Sequence, residues 1–244
     1  MTNRSFALLT LLIALLATGC ASVPKGKPDP RDRFERINRS VFSFNQGLDK
    51  HVARPVTMAY VAVTPGPVRS GVSNFLANLG YPVVIVNDVL QAKPSPFARD
   101  TARFVLNTTV GIGGLFDPAT KVGLQSSNED FGQTLGYWGM GTGPYLMLPL
   151  LGPSDARDLV GKVADHFAQP RTYLNSTTLS LGLQGAELVD KRAAALDATE
   201  VMNRAFDPYA FMRNAYLQRR QFLVHDGNPP DESPVEDGSS ADEQ

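Results

Sequence analysis

Three charged side chains, Asp158, Lys162 and Asp165, are spaced to form one polar surface on a helix. Their offsets are i, i+4 and i+7, and residues at such offsets lie on the same side of an α-helix. The apolar residues Leu159 and Val163 fall beside them on another side. Two interpretations follow: a solvated helix face with one salt-bridge pair, or the polar wall of an internal channel.

Side chains suited to catalysis or metal binding are sparse. The sequence has no G-x-S-x-G turn for a hydrolase nucleophile, and its three histidines are far apart along the chain. One cysteine gives no zinc-binding pattern. The segment GMGTG at 139–143 has no buried strand before it and a proline after it, so it is not a phosphate-binding loop. We predict a protein that is not an enzyme and has no metal or cofactor; a lipid-remodelling enzyme is a weaker alternative.

Cys20 is the only cysteine, and it directly follows a secretory signal pattern. Arg4 gives a charged start, residues 6–17 are an apolar run, and Thr18-Gly19 supplies small residues before the cleavage point. A cysteine at this point resembles the lipobox of bacterial lipoproteins, although Ala17 stands where leucine is usual. We therefore predict a signal peptide over 1–19 and acyl chains on Cys20 that anchor the mature protein to a membrane. In such a protein, a polar channel wall could accommodate a lipid head group.

The apolar spacing is helical over most of the chain, so we predict an all-α fold. Residues 34–48 carry an apolar stripe with aromatic side chains. Ser95-Pro96, Ser154 and Asp207-Pro208 are typical of helix starts, with helices expected to about Phe167 from Ser154 and to Phe222 from Asp207. A long helix is predicted from Leu179 to about Met202. No run alternates with the period of a β-strand.

A glycine-rich stretch over 107–153 interrupts the helical pattern. Glycine permits left-handed backbone and close approach of chains, and it weakens a helix interior. We predict an irregular, tightly folded centre there.

Composition divides the chain after the signal peptide into three parts. A proline-rich tether is expected over 20–31, a single helical domain over 32–225, and a disordered acidic tail over 226–244. The formal net charge is −1, and no dense basic stripe with interleaved aromatic residues occurs. Nucleic acid is therefore an unexpected partner.

Short motifs spread over about residues 29–223 resemble the MlaA family, also called VacJ, of outer-membrane lipoproteins. The motifs that carry the resemblance are FERINR at 34–39, RPV at 54–56, SNF at 73–75, LNT at 106–108, GIGG at 111–114, FGQTLG at 131–136, GMGTGPY at 139–145 and DPY at 207–209. One such match would mean little, but their shared order along nearly the whole mature chain is specific.

The resemblance implies a ring of amphipathic helices in the inner leaflet of the outer membrane, on its periplasmic side and beside trimeric porins. Such proteins pass mislocalised glycerophospholipids inward through a polar channel to a periplasmic lipid carrier. On this hypothesis Asp158, Lys162 and Asp165 line the channel, and Phe42, Phe44 and Asn45 lie at its entrance. The alternative is a structural lipoprotein that scaffolds porins or carriers without conducting lipid.

Overall fold

The computed structural model describes residues 29–230, and within them the fold is mainly α-helical. The predicted signal peptide, Cys20, residues 20–28 of the predicted tether and residues 231–244 of the predicted acidic tail lie outside the described residues. The helices are α1 (Glu35–Leu48), α2 (Arg54–Val63), α3 (Gly66–Leu90), α4 (Pro94–Thr109), α5 (Pro118–Lys121), α6 (Phe131–Tyr137), α7 (Ala156–Ala168), α8 (Thr177–Ala194), α9 (Leu196–Asn203) and α10 (Pro208–Val224). A π-helix (Asp49–Ala53) joins α1 to α2, and a 3₁₀-helix (Pro170–Tyr173) follows α7.

A short antiparallel hairpin, absent from the sequence-based prediction, pairs β1 (Tyr145–Leu148) with β2 (Gly152–Asp155). Two asparagines of α1 hold it through main-chain hydrogen bonds. Asn38 accepts from the amide of Met147 (2.9 Å) and donates to the carbonyl of Tyr145 (3.0 Å). Asn45 bonds both sides of the hairpin turn, at the carbonyl of Leu148 and the amide of Leu150 (2.9 Å each). Side chains of α1 thus hydrogen bond to main-chain groups of the hairpin, so the hairpin forms without an alternating apolar pattern in its own strands.

The helix boundaries differ from the prediction at three places. Asp155, not Ser154, caps α7: its carboxylate accepts from the Asp158 amide (2.7 Å), while Ser154 lies in β2 opposite Leu146 of β1. The helix α4 starts at Pro94, so Ser95 lies inside its first turn. The predicted helix 179–202 starts at Thr177 and is interrupted at Ala195 between α8 and α9. The Asp207-Pro208 start of α10 is confirmed, since the Asp207 carboxylate accepts from the Ala210 amide (3.1 Å).

Within the glycine-rich centre, close contact with α3 explains why position 114 is a glycine. This residue has φ +94°, and a Cβ there would lie 2.5 Å from the Cβ of Asn78 in α3. Any larger residue would force the 111–116 loop away from α3. The centre is thus irregular where it meets α3, but it also contains α5, α6 and the hairpin.

Within residues 29–230, the apolar core is small and lies between α1, the hairpin, α9 and α10. It contains seven buried residues: Val41, Phe42, Tyr145, Met147, Met202, Tyr209 and Leu217. The Phe42 ring packs edge-on against Tyr209, with ring centroids 5.6 Å apart. None of the described helices is long and apolar enough to cross a membrane.

Candidate functional site

A buried cluster of ionic side chains lies where α6, α7 and α10 meet. The helices α6 and α7 approach through glycines, and a Cβ on Gly161 would lie 2.4 Å from the amide nitrogen of Gly132. This contact leaves the charged residues of α7 beside the N-terminus of α6. The sequence pattern placed these residues on one helix face but gave no sign of what would cover them.

Arg220 of α10 is the centre of this cluster. Its guanidinium donates to both oxygens of Asp130 (2.6 and 2.9 Å) and to Oδ1 of Asp158 (2.6 Å). The Tyr216 hydroxyl also donates to Asp158. Burial alone would raise the pKa of Asp130, but bonding to Arg220 outweighs it and holds that pKa below its ordinary value. Sequence reasoning missed Arg220, because its ion-pair partners lie far away in sequence.

Asp165, two turns further along α7 than Asp158, is held by neutral donors. Both of its oxygens accept from the amide of Phe131 (3.1 Å), and one accepts from the amide group of Asn87 (3.1 Å). The carboxylate therefore lies at the N-terminus of α6, where the helix dipole favours negative charge. Burial nevertheless raises the pKa of Asp165 to about 6, because desolvation outweighs these hydrogen bonds.

Lys162 lies between the two aspartates in sequence but bonds to neither in the structure. Its ammonium donates to the Ser154 hydroxyl (3.0 Å), and burial lowers its pKa. The solvated-face interpretation is wrong for the aspartates, since Asp158 and Asp165 are only 5% and 9% exposed. The proposed channel-lining role of all three residues stays a prediction.

The three residues predicted at the channel entrance share α1 but differ in environment. Phe42 is buried in the apolar core, Phe44 is exposed, and Asn45 holds the hairpin turn. Only Phe44 and Asn45 are therefore placed next to accessible surface. Their role at an entrance stays a prediction.

A second buried carboxyl cluster, which sequence reasoning did not identify, joins α3 and α4. Asp88 and Asp100 are both fully buried. Asp100 accepts from Arg99 (2.8 Å) and Ser127 (2.5 Å), whereas no group of the described residues donates to the Asp88 carboxylate oxygens. Burial raises the pKa of Asp88 to about 7, and the charges of Asp100 and Glu129 add to this effect. The Asp88 carboxyl group therefore holds its proton up to near neutral pH.

The raised pKa of Asp88 predicts a pH-dependent stability. Because the folded pKa of Asp88 lies above its unfolded value of 3.8, the native state binds more protons between pH 4 and 7. The free energy of unfolding should therefore fall over that window as pH rises, by up to about 1.4 kcal/mol per pH unit. Asp165, whose pKa is about 6, adds a slope of the same sign below pH 6. Asp88→Asn should therefore reduce the slope chiefly between pH 6 and 7 in denaturant titrations, and Asp197→Asn, at an unrelated position in α9, should keep it. An unchanged slope in Asp88→Asn would contradict the assignment.

No group of three or more His, Cys, Asp or Glu side chains within residues 29–230 is placed to hold a metal ion. The chemistry that these clusters offer is ionic and hydrogen-bonding. A polar interior of this kind can hold charged groups away from water.

Comparison with known proteins gives a consistent result. The family model of the MlaA lipoprotein matches residues 30–223. The intermembrane phospholipid transport system lipoprotein MlaA of Escherichia coli K12 is 37% identical over 224 residues, covering 90% of this chain and 89% of the relative. The protein of the same name from Haemophilus influenzae is 33% identical and covers 90% of each chain.

A solved structure also matches, described as the structural basis for maintenance of bacterial outer membrane lipid asymmetry. It aligns with a TM-score of 0.72 at 38% identity, covering 79% of this chain and 98% of that one. The all-α class is confirmed by the helices described above and by this match. The chain therefore belongs to the MlaA lipoprotein family.

Proposed function

We propose that this protein is an outer-membrane lipoprotein that passes mislocalised glycerophospholipids from the outer leaflet inward to a periplasmic lipid carrier. Its relatives from Escherichia coli and Haemophilus influenzae are named for intermembrane phospholipid transport. On this proposal the protein makes and breaks no bond. It provides a polar path through an apolar surrounding.

The observation that carries the proposal is an inverted distribution of side chains. Among the described residues, 20 polar or charged side chains are buried against 13 hydrophobic ones, and 36 large hydrophobic side chains are exposed. In water-soluble proteins, charged residues are almost never fully buried unless paired, and large exposed apolar patches mark interaction sites. A body immersed in lipid that encloses a polar interior accounts for both features.

Many of the exposed hydrophobic residues lie in segments that carry no charge. Residues 55–68, 104–116, 131–154 and 172–186 contain no Asp, Glu, Lys or Arg. Two of these segments adjoin in space, because α2 packs against α8. A helix with an apolar, uncharged surface can lie in the hydrocarbon of a leaflet, because a helix satisfies its own backbone hydrogen bonds. These surfaces support residence within a leaflet.

Within this proposal, Asp158, Lys162 and Asp165 face the polar path. Phe44 and Asn45 meet the lipid at the hairpin turn, and Phe42 supports them from the core. Acyl chains on Cys20 hold the body in the outer membrane from its periplasmic side. A trimeric porin at the apolar exterior and a periplasmic lipid carrier complete the proposed route.

Deletion followed by labelling of outer-leaflet phospholipid tests this function. We expect outer-leaflet phospholipid to rise on deletion, because nothing then returns stray lipid inward. The wild-type gene should reverse the rise, while a Cys20→Ala copy should not, because the body is no longer held at the membrane. An unchanged label after deletion would contradict the proposal.

Phospholipid carried by the purified protein distinguishes a conduit from a scaffold. A conduit should retain glycerophospholipid through purification, whereas a protein that only scaffolds porins or carriers should retain little. Lyso-lipid formed when the purified protein is incubated with labelled phospholipid would instead indicate lipid-remodelling activity.

A further inference from the structure

The helix α8 covers part of the body without burying any of its own side chains. None of its 18 residues is buried, and its outward residues include Leu181 and Leu188. It packs against α2 and α3. Segments with few buried apolar contacts open at low free-energy cost, so α8 is poorly held by packing alone.

Among the described residues, two ion pairs join α8 to other elements, one in its middle and one at its C-terminal end. Arg171 of the 3₁₀-helix pairs with Glu187. Arg192 donates to both oxygens of Asp49 in the π-helix (2.6 and 2.9 Å). Two buried polar atoms oppose the stabilising effect of these ion pairs. The Tyr60 hydroxyl of α2 and the Nη1 nitrogen of Arg192 have no hydrogen-bond partner in the described structure. Such unpaired groups disfavour the docked position.

A cleft lies beneath α8 at the Arg171–Glu187 pair. It is lined by Leu76, Leu79 and Gly80 of α3 and by Gln169, Arg171 and Glu187. Its cavity volume of about 30 Å³ is far below the range of ~300–1,000 Å³ that encloses a drug-sized ligand. A lipid with two acyl chains therefore cannot enter while α8 stays in place.

We propose that this cleft takes a glycerophospholipid from the side, with the Arg171 guanidinium binding the phosphodiester in place of Glu187 while α8 swings outward. This inference rests on the proposed function and names a binding site for its substrate. Leu76 and Leu79 provide the apolar wall for an acyl chain, and Gly80 leaves room beside them. The uncharged exposed segment 172–186 places the opening within the leaflet.

Glu187 keeps a positively charged partner when Arg171 leaves it. Glu187 also accepts from Lys191 (2.6 Å), one helical turn away, so it keeps a positive partner after Arg171 leaves. Within the described structure, Glu187 is the one side chain that hydrogen bonds to the Arg171 guanidinium. Release of Glu187 therefore frees a partly buried guanidinium, and arginine binds phosphate through two parallel N–H bonds. The pair acts as a clasp that an anionic head group opens.

Two single variants of the full lipidated protein test the clasp, because they should loosen α8 alike but change lipid binding in opposite directions. Each of Arg171→Gln and Glu187→Gln should speed hydrogen exchange of residues 177–194 about tenfold, the change expected for one charged hydrogen bond. Phospholipid retained through purification should fall about tenfold in Arg171→Gln and rise in Glu187→Gln. Arg204→Gln, which breaks an exposed pair with Glu200, is the matched control and should change neither readout.

A short-chain glycerophospholipid and inorganic phosphate, added separately to the wild-type protein, identify the ligand. The lipid should speed exchange of 177–194, while phosphate alone should not, because it leaves the apolar wall empty. An equal response to phosphate would overturn the lipid assignment. If retained lipid changes in the same direction in both variants, the proposed role of the Arg171–Glu187 pair is wrong. If the wild-type protein retains no phospholipid and deletion leaves the outer leaflet unchanged, the proposed function fails as well.

Discussion

Arg220→Met is expected to be among the most destabilising single substitutions in this protein. The change leaves the buried Asp158 and the partly exposed Asp130, at the junction of α6, α7 and α10, without their shared positive charge. Removing one partner of a buried ion pair costs about 3–5 kcal/mol, because the remaining charge stays desolvated. Whole domains are stable by only about 5–15 kcal/mol, so we expect a large fall in the denaturant midpoint and in the cellular protein level.

A matched control separates this effect from the loss of any arginine. Arg204 pairs with Glu200 on the surface of the molecule, where both side chains are largely exposed. Because exposed pairs contribute about 0–1 kcal/mol, Arg204→Met should leave the midpoint nearly unchanged. Adding Asp130→Asn and Asp158→Asn to Arg220→Met should recover part of the loss, since these two unpaired charges are then gone as well. Equal effects of Arg220→Met and Arg204→Met would show that the cluster does not join the three helices.

The second large effect is expected from Gly161→Ala, which adds one methyl group between α6 and α7. The new Cβ would lie 2.4 Å from the amide nitrogen of Gly132 and 2.7 Å from its Cα. Backbone atoms cannot rotate away as a side chain can, so the two helices must separate. Overpacking of this kind costs about 1–3 kcal/mol, and the separation would also disturb the bonds of Asp158 and Asp165.

Gly185→Ala provides a control of the opposite sign. Gly185 lies in α8, and no atom lies within contact distance of the position that an alanine Cβ would take, so the methyl group meets open space. Alanine stabilises a helix interior by up to about 1 kcal/mol relative to glycine. Denaturant titration of the two variants should thus show a lower midpoint for Gly161→Ala and an equal or higher one for Gly185→Ala. A loss in both would point to a general intolerance of alanine instead of a close helix contact.

The apolar and glycine patterns of the sequence correctly predicted much of the fold. The helical spacing over 34–48 and the cap at Asp207 predicted α1 and the start of α10. The glycine-rich composition predicted the irregular backbone around Gly114. These features depend on neighbours within a few residues, so local preferences are sufficient to indicate them.

The hairpin at 145–155 shows where local preferences fail. Its strands are only four residues each, and α1 supplies bonds through Asn38 and Asn45, about a hundred residues earlier in the chain. No spacing within 145–155 indicates those partners. The same reason explains why Ser154 resembled a helix cap when the neighbouring Asp155 performs that role.

The sequence by itself therefore determined the helical class, the motifs that place the chain in its family, and the single cysteine available for lipid attachment. The tertiary structure decided which charges are buried and with what partners: Asp158 with Arg220, Asp165 with the start of α6, and Asp88 with Asp100. The physical reason is distance. Periodicity acts over a helical turn, whereas burial and ion pairing depend on segments that meet only after the chain has folded.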